Sequence, residues 1–95
     1  MSSEFNHDTD AHRYTLKVDG KLVSAADYTV NGDRLSITHT FTDPMQRGHG
    51  YAGQVVSYAV DDIEKNSPGT KIVPMCWYAA KWFDEHPEKS GLLAG

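Results

Sequence analysis

The hydrophobic period of this chain changes once, and the change restricts what the chain can fold into. From Arg13 to Phe41 apolar and polar residues alternate, which is the repeat of half-buried strands. From Tyr51 to Lys65 the apolar residues recur at helical spacing, with Ala52, Val55, Val56, Ala59 and Ile63 on one stripe. Arg47-Gly48-His49-Gly50-Tyr51-Ala52 joins the two regimes. Two glycines between a strand and a helix let main-chain N–H groups approach a ligand with no side chain in the way. The helix start adds N–H groups it cannot pair itself and a partial positive charge. Such a joint is either a plain strand-to-helix turn or an anion site suited to phosphate or pyrophosphate. It is not a P-loop, because Gly50 is followed by Tyr51 and Ala52 rather than Lys and Ser or Thr. A dinucleotide fingerprint follows an early strand, whereas these glycines sit mid-chain.

The alternating region divides into three strands. Arg13 to Val18 carries Tyr14, Leu16 and Val18 on one face. Asp19-Gly20 turns it into Lys21 to Val30, with Leu22, Ala26, Tyr28 and Val30 in phase. Asn31-Gly32, a stronger hairpin signal, leads to Leu35 to Phe41, with Leu35, Ile37, His39 and Phe41 in phase. These predict an antiparallel meander. After the long helix, Asn66-Ser67-Pro68-Gly69 stops the helical pattern, and Lys71 to Pro74 reads as a short strand parallel to its neighbour. Tyr78 to His86 reads as a second helix ended by Pro87. The fold class is α+β: a three-stranded meander, a long helix, a short parallel strand and a short helix, with a cleft at the parallel pair. Residues 1–11 are expected to be a disordered polar tail, 12–88 a single domain and 89–95 a loose tail.

Bulk properties exclude several classes. A chain of 95 residues is one domain. No apolar run approaches the roughly 20 residues of a membrane helix. Met1 to Asp10 is polar and acidic, unlike a secretory signal. The net charge of −4, with no Lys/Arg stripe, argues against nucleic acid as a partner. One cysteine rules out an internal disulfide and suits a reducing, cytoplasmic setting. His7, His12, His39, His49 and His86 have no ligand spacing among themselves or with Cys76, so no metal site is expected.

Three side chains have candidate chemistry. His39, in phase with core residues, is either a satisfied core histidine or a desolvated base able to accept a proton near neutrality. Cys76, just past the last strand and before the second helix, is either a small buried hydrophobe or a thiol activated by the helix start. Tyr78 is either a packing aromatic or a proton donor in the same cleft.

Arg47 to Ala52 fits the R/Q-x-x-G-x-G/A signature of the GNAT superfamily of acetyl-CoA-dependent N-acetyltransferases. The chain resembles a small single-domain branch of it, on three motifs in order. These are the signature, the His39-Thr40 pair before it, and Pro74-Met75-Cys76-Trp77-Tyr78 running to His86-Pro87-Glu88. The likeness runs from about Tyr14 to Glu88. It implies that Gln46, Arg47, Gly48, His49, Gly50, Tyr51 and Ala52 grip the pyrophosphate of coenzyme A. Strands around Phe41 and Val73 would splay, and the pantetheine arm would lie along Thr40, Phe41 and Thr42 toward His39 and Cys76. In that branch the cysteine is the suspected catalytic residue. Relatives often carry an acidic residue where this chain has Phe41, which leaves His39 as the base. The implied activity is acetyl transfer to an amine, in a monomer or weak dimer without nucleic acid or membrane. A non-catalytic CoA-binding module or sensor is the alternative.

Overall fold

The computed structural model describes residues 2–46, 48 and 50–94. Strand β1 (Ser3–Asp8), β2 (Arg13–Val18), β3 (Lys21–Asn31), β4 (Arg34–Thr42) and β5 (Lys71–Pro74) form one sheet in chain order. The first four are antiparallel and β4–β5 is parallel. Helix α1 (Tyr51–Asn66) makes the crossover that a parallel pair requires, and α2 (Trp77–Glu85) follows β5. Both predicted hairpins turn through left-handed backbone: Asp19 and Gly20 at φ 52 and 82, and Gly32 at φ 62.

Tyr14, Leu16, Ala26, Tyr28, Leu35, Ile37 and Ile72 of the sheet meet Val55, Val56, Ala59, Val60 and Ile63 of α1 and Ala79, Trp82 and Phe83 of α2 in one core. The helices stop for local reasons. Ser67 N–H caps the Ile63 carbonyl at 2.9 Å before Pro68 and Gly69. At the end of α2, the His86 ring donates from Nδ1 to the Trp82 carbonyl at 2.7 Å and stacks on the Trp82 ring.

Several expectations are corrected. The meander has four strands rather than three: within the expected disordered tail, Ser3–Asp8 is a strand paired with β2 along its length. Its alternation is hidden by polar residues, because only Phe5 and His7 face inward. Phe5 stacks on Tyr58 at 4.9 Å, and His7 stacks on Tyr14 at 4.0 Å and shares a hydrogen bond with the Tyr28 hydroxyl. Nor do residues 89–94 form a loose tail. Pro87–Leu92 is a 3-10 segment, Leu92 and Leu93 pack on the core, and Ala94 N–H donates to the Ile72 carbonyl at 2.9 Å. The outer edge of β5 needs those partners.

Two bulges re-phase the strands. Leu16 pairs with Ser24 and Lys17 with Leu22, so Val23 is inserted in β3 and Leu22 falls on the opposite face from Ala26 and Tyr28 rather than in phase with them, while Val30 lies beyond the last β2 partner, Asp27, and is exposed. Asp27 pairs with His39 and Tyr28 with Ile37, so Thr38 is inserted in β4. One extra residue reverses every side chain beyond it. Leu35 and Ile37 are buried, but after Thr38 the helix-facing residues are Thr40 and Thr42. His39 and Phe41 turn to the opposite face and are exposed.

Candidate acetyl-transfer cleft

β4 and β5 pair only from Arg34 with Lys71 to Ile37 with Pro74. Pro74 has no N–H to continue the ladder. The amides of Met75 and Cys76 both donate to the Ile37 carbonyl at 3.0 Å, which ends the pairing there. β4 runs on from Thr38 to Thr42 with an open edge. The strands part at Ile37 and Pro74, earlier than the expected point near Phe41. The gap is a cleft of about 920 Å³. Thr38, His39, Thr40 and Thr42 line one side, Gly48, Gly50, Tyr51 and Ala52 the head, and Met75, Cys76, Trp77 and Tyr78 the other side.

The head of the cleft is the glycine turn. Gly48 has φ 92 and Gly50, the N-cap of α1, has φ 72. A Cβ at either would meet nothing within 4 Å, so the need for glycine is conformational rather than spatial. Among the described residues no side chain caps α1, and no acidic residue stands in its first turn. The positive end of the helix therefore faces the cleft with no carboxylate on its own first turn to offset it. The Gln46 side chain, Arg47 and His49 lie outside the described residues.

Cys76 occupies the N-cap position of α2, half-buried, with Sγ 3.3 Å from Thr40 Oγ1. Burial pushes its pKa up. Hydrogen bonding to Thr40 and to the backbone of Ala79, Tyr78 and Thr40 outweighs that, and the thiol is held below its usual value. Such a thiol is richer in thiolate at neutral pH and more nucleophilic. The Tyr78 phenol is pushed up, first by burial and then by the charge of Glu85, so it stays protonated and able to donate. Its hydroxyl lies against α1, 3.2 Å from where a Cβ on Gly53 would stand.

His39 and Cys76 line the same cleft, but the His39 ring is not the core-facing, desolvated group expected from its phase. The Thr38 bulge turns it out to solvent. Phe41 is likewise on the far face, so its side chain does not line the cleft. Of the residues expected to hold the cofactor, Thr40, Thr42, Gly48, Gly50, Tyr51, Ala52 and Cys76 line it. Three features escaped the sequence reading. They are the Thr40 hydroxyl as partner of the thiol, the fit of Tyr78 over Gly53, and a second groove on the far face. The first two had a visible signal, a threonine in β4 and a glycine inside a helix.

A family model for GCN5-related N-acetyl-transferase matches residues 13–92. The chain belongs to the GCN5-related N-acetyltransferase family. No curated protein matches it in sequence. Among solved structures, a GCN5-like protein from Staphylococcus aureus superposes with TM-score 0.72 at 16% identity, covering 97% of this chain and 88% of that one. N-acetylglutamate synthase from Neisseria gonorrhoeae, complexed with coenzyme A and N-acetyl-glutamate, gives TM-score 0.62 at 18% identity over 79% of this chain and 18% of that one. Ribosomal-protein-alanine N-acetyltransferase from Brucella melitensis gives 0.58 at 18% identity, over 87% of this chain and 63% of that one. At such identities the likeness is one of fold, an α+β architecture that here has a mixed sheet of five strands. No described helix is long and apolar enough to cross a membrane.

Proposed function

We propose that this chain transfers an acetyl group from acetyl-CoA to an amine in the cleft between β4 and β5. One observation carries the reading. A single cleft joins an uncapped, carboxylate-free helix start to a thiol held toward its anionic form. The first-turn amides and the turn from Gln46 to Ala52 suit a pyrophosphate. The open edge of β4, from Thr38 to Thr42, offers main-chain groups to the amides of a pantetheine arm, and Thr40 and Phe41 contribute backbone there. The same arm brings the thioester to Cys76.

Proximity supplies most of the rate, since thioester and amine are held together. The amine must lose a proton, and His39 on the open edge takes it, directly or through water. Amine attack forms the C–N bond, and the C–S bond breaks with its electron pair on sulfur. Tyr78, protonated and lining the cleft, supplies the proton to the departing thiolate. Cys76 acts in one of two ways: it is the proton donor in place of Tyr78, or as thiolate it takes the acetyl group from CoA first and then passes it to the amine. A thiol in such a role works only if unoxidised, which suits a reducing, cytoplasmic compartment.

The test is a melting-temperature screen with acetyl-CoA and CoA, then a free-thiol assay against a panel of amines. Stabilisation by both ligands together with amine-dependent thiol release supports transfer. Acetylated Cys76 on intact-protein mass spectrometry assigns the covalent route, and full activity in Cys76→Ser removes it. Among the described residues no carboxylate lines the cleft, which favours a second reading as a CoA-binding module. That reading predicts stabilisation without transfer to any amine.

A further inference from the structure

The Thr38 bulge creates a second feature on the far face of the sheet. Arg13, Asp27 and His39 are cross-strand partners in one row over β2, β3 and β4. Ala25 and Phe41 are partners in the next row. These residues and Leu22 line a groove of about 310 Å³. His39 lines both this groove and the acetyl-transfer cleft. It can do so because β4 has no neighbour on the β5 side beyond Ile37. The two spaces therefore meet at His39, the one imidazole among the described residues that line them.

The geometry points to this groove as the acceptor site, built for a small monoamine with an apolar body. The inference rests on the acetyltransferase reading and names the substrate class for it. Asp27 is the only carboxylate in the lining. Arg13 Nε donates to its Oδ1 at 2.6 Å, while the second contact, NH2 to Oδ2, is long at 3.4 Å. Oδ2 keeps acceptor capacity for an ammonium group. Leu22, Ala25 and the half-exposed Phe41 ring hold the apolar part, and the ring face also attracts a cation. The volume is at the low end for small-molecule sites, which limits the body to about the size of one aromatic ring. Arg13 sets the sign of the rest: a second cation, as in a diamine or polyamine, would meet its guanidinium. From the groove the amine reaches the thioester by passing His39, the group that must deprotonate it.

The test uses the whole chain and phenethylamine, with putrescine and spermidine as counter-probes. Amide NMR spectra of the ¹⁵N-labelled protein titrated with phenethylamine should show saturable shifts at residues 25–27 and 39–41 and little change at residues 50–53. Asp27→Asn should weaken that binding and raise KM for phenethylamine about tenfold, the effect of losing a hydrogen bond to a charged group. The stabilisation by acetyl-CoA should be unchanged in that variant. Phe41→Ala, at an exposed position, should weaken phenethylamine without affecting the fold, and putrescine and spermidine should bind worse than phenethylamine. No shifts at 25–27 and 39–41, or an unchanged KM in Asp27→Asn, overturns the site. Tighter binding of spermidine overturns the monoamine class. Loss of acetyl-CoA stabilisation in the wild type would count against the parent reading, and the titration would still decide the groove.

Discussion

Gly53→Ala separates the scaffold of this molecule from its chemistry. Gly53 is the third residue of α1, and alanine in a helix is worth up to about 1 kcal/mol over glycine, of which the first turn collects about half. Against that stands one contact. The new Cβ would lie 3.2 Å from Tyr78 Oη, inside ordinary van der Waals separation, so the phenol must retreat by a few tenths of an ångström. Oη is the far end of a side chain with two torsions, and turning it slightly off its rotamer costs about 0.5 kcal/mol. The two effects nearly cancel, leaving stability within about 0.5 kcal/mol and the melting temperature within about 4 °C of wild type. Activity should not cancel. If the Tyr78 hydroxyl protonates the leaving thiolate, moving it forfeits part of the 10²–10⁴-fold that positioned acid catalysis supplies. Turnover should fall about tenfold, toward that of Tyr78→Phe, with acetyl-CoA affinity changed by less than about twofold. Thermal melts, calorimetry with acetyl-CoA and free-thiol release read the three quantities. Normal turnover in Gly53→Ala beside a crippled Tyr78→Phe would refute the positioning argument. A stability loss above about 2 kcal/mol would show that the contact is rigid.

Alkylation of Cys76 by iodoacetamide should reach half-maximal rate below the pH of about 8.5 that is ordinary for a thiol, and Thr40→Val should move that midpoint upward. Because the folded thiol is held down, the unfolded chain binds more protons between the folded pKa and about 8.5. Stability should therefore rise with pH across that window, and Cys76→Ser should lose the rise; a flat profile in the wild type contradicts the assignment. Tyr14→Phe removes the hydroxyl that donates to Asp62 Oδ2 at 2.7 Å, and should cost about 1–2 kcal/mol, lowering the melting point by roughly 5–10 °C in differential scanning calorimetry. Gly50→Ala forces a left-handed residue and should cost about 1–2 kcal/mol in chemical denaturation while weakening acetyl-CoA more than it weakens the fold.

The parts of the fold set by period and turn chemistry were legible in the residues. Asn31-Gly32, Asp19-Gly20 and the α1 stripe each carry a local physical rule, and the structure obeys all three. The parts set by exceptions to period were not. Thr38 is a threonine among threonines, with no glycine to betray a bulge, yet it decides which way His39 and Phe41 point. β1 hid because its outward residues, Glu4, Asn6 and Asp8, and the exposed Ser3 at its start make the segment look like a solvated tail. The C-terminal residues hid because their role is to cover the edge of β5, which is visible only once the sheet is ordered. For the site, the Cys76 position followed from its place before a helix. Its Thr40 partner depends on the phase reversal at Thr38 and could not be read beforehand.

Crystals grown with acetyl-CoA give the most direct reading of the central claim. The account predicts density for the pyrophosphate at the main-chain amides from Gly48 to Gly53, and for the thioester at van der Waals distance from Cys76 Sγ. Nucleotide bound elsewhere on the surface, or a thioester on the far side of the sheet from Cys76, would contradict it.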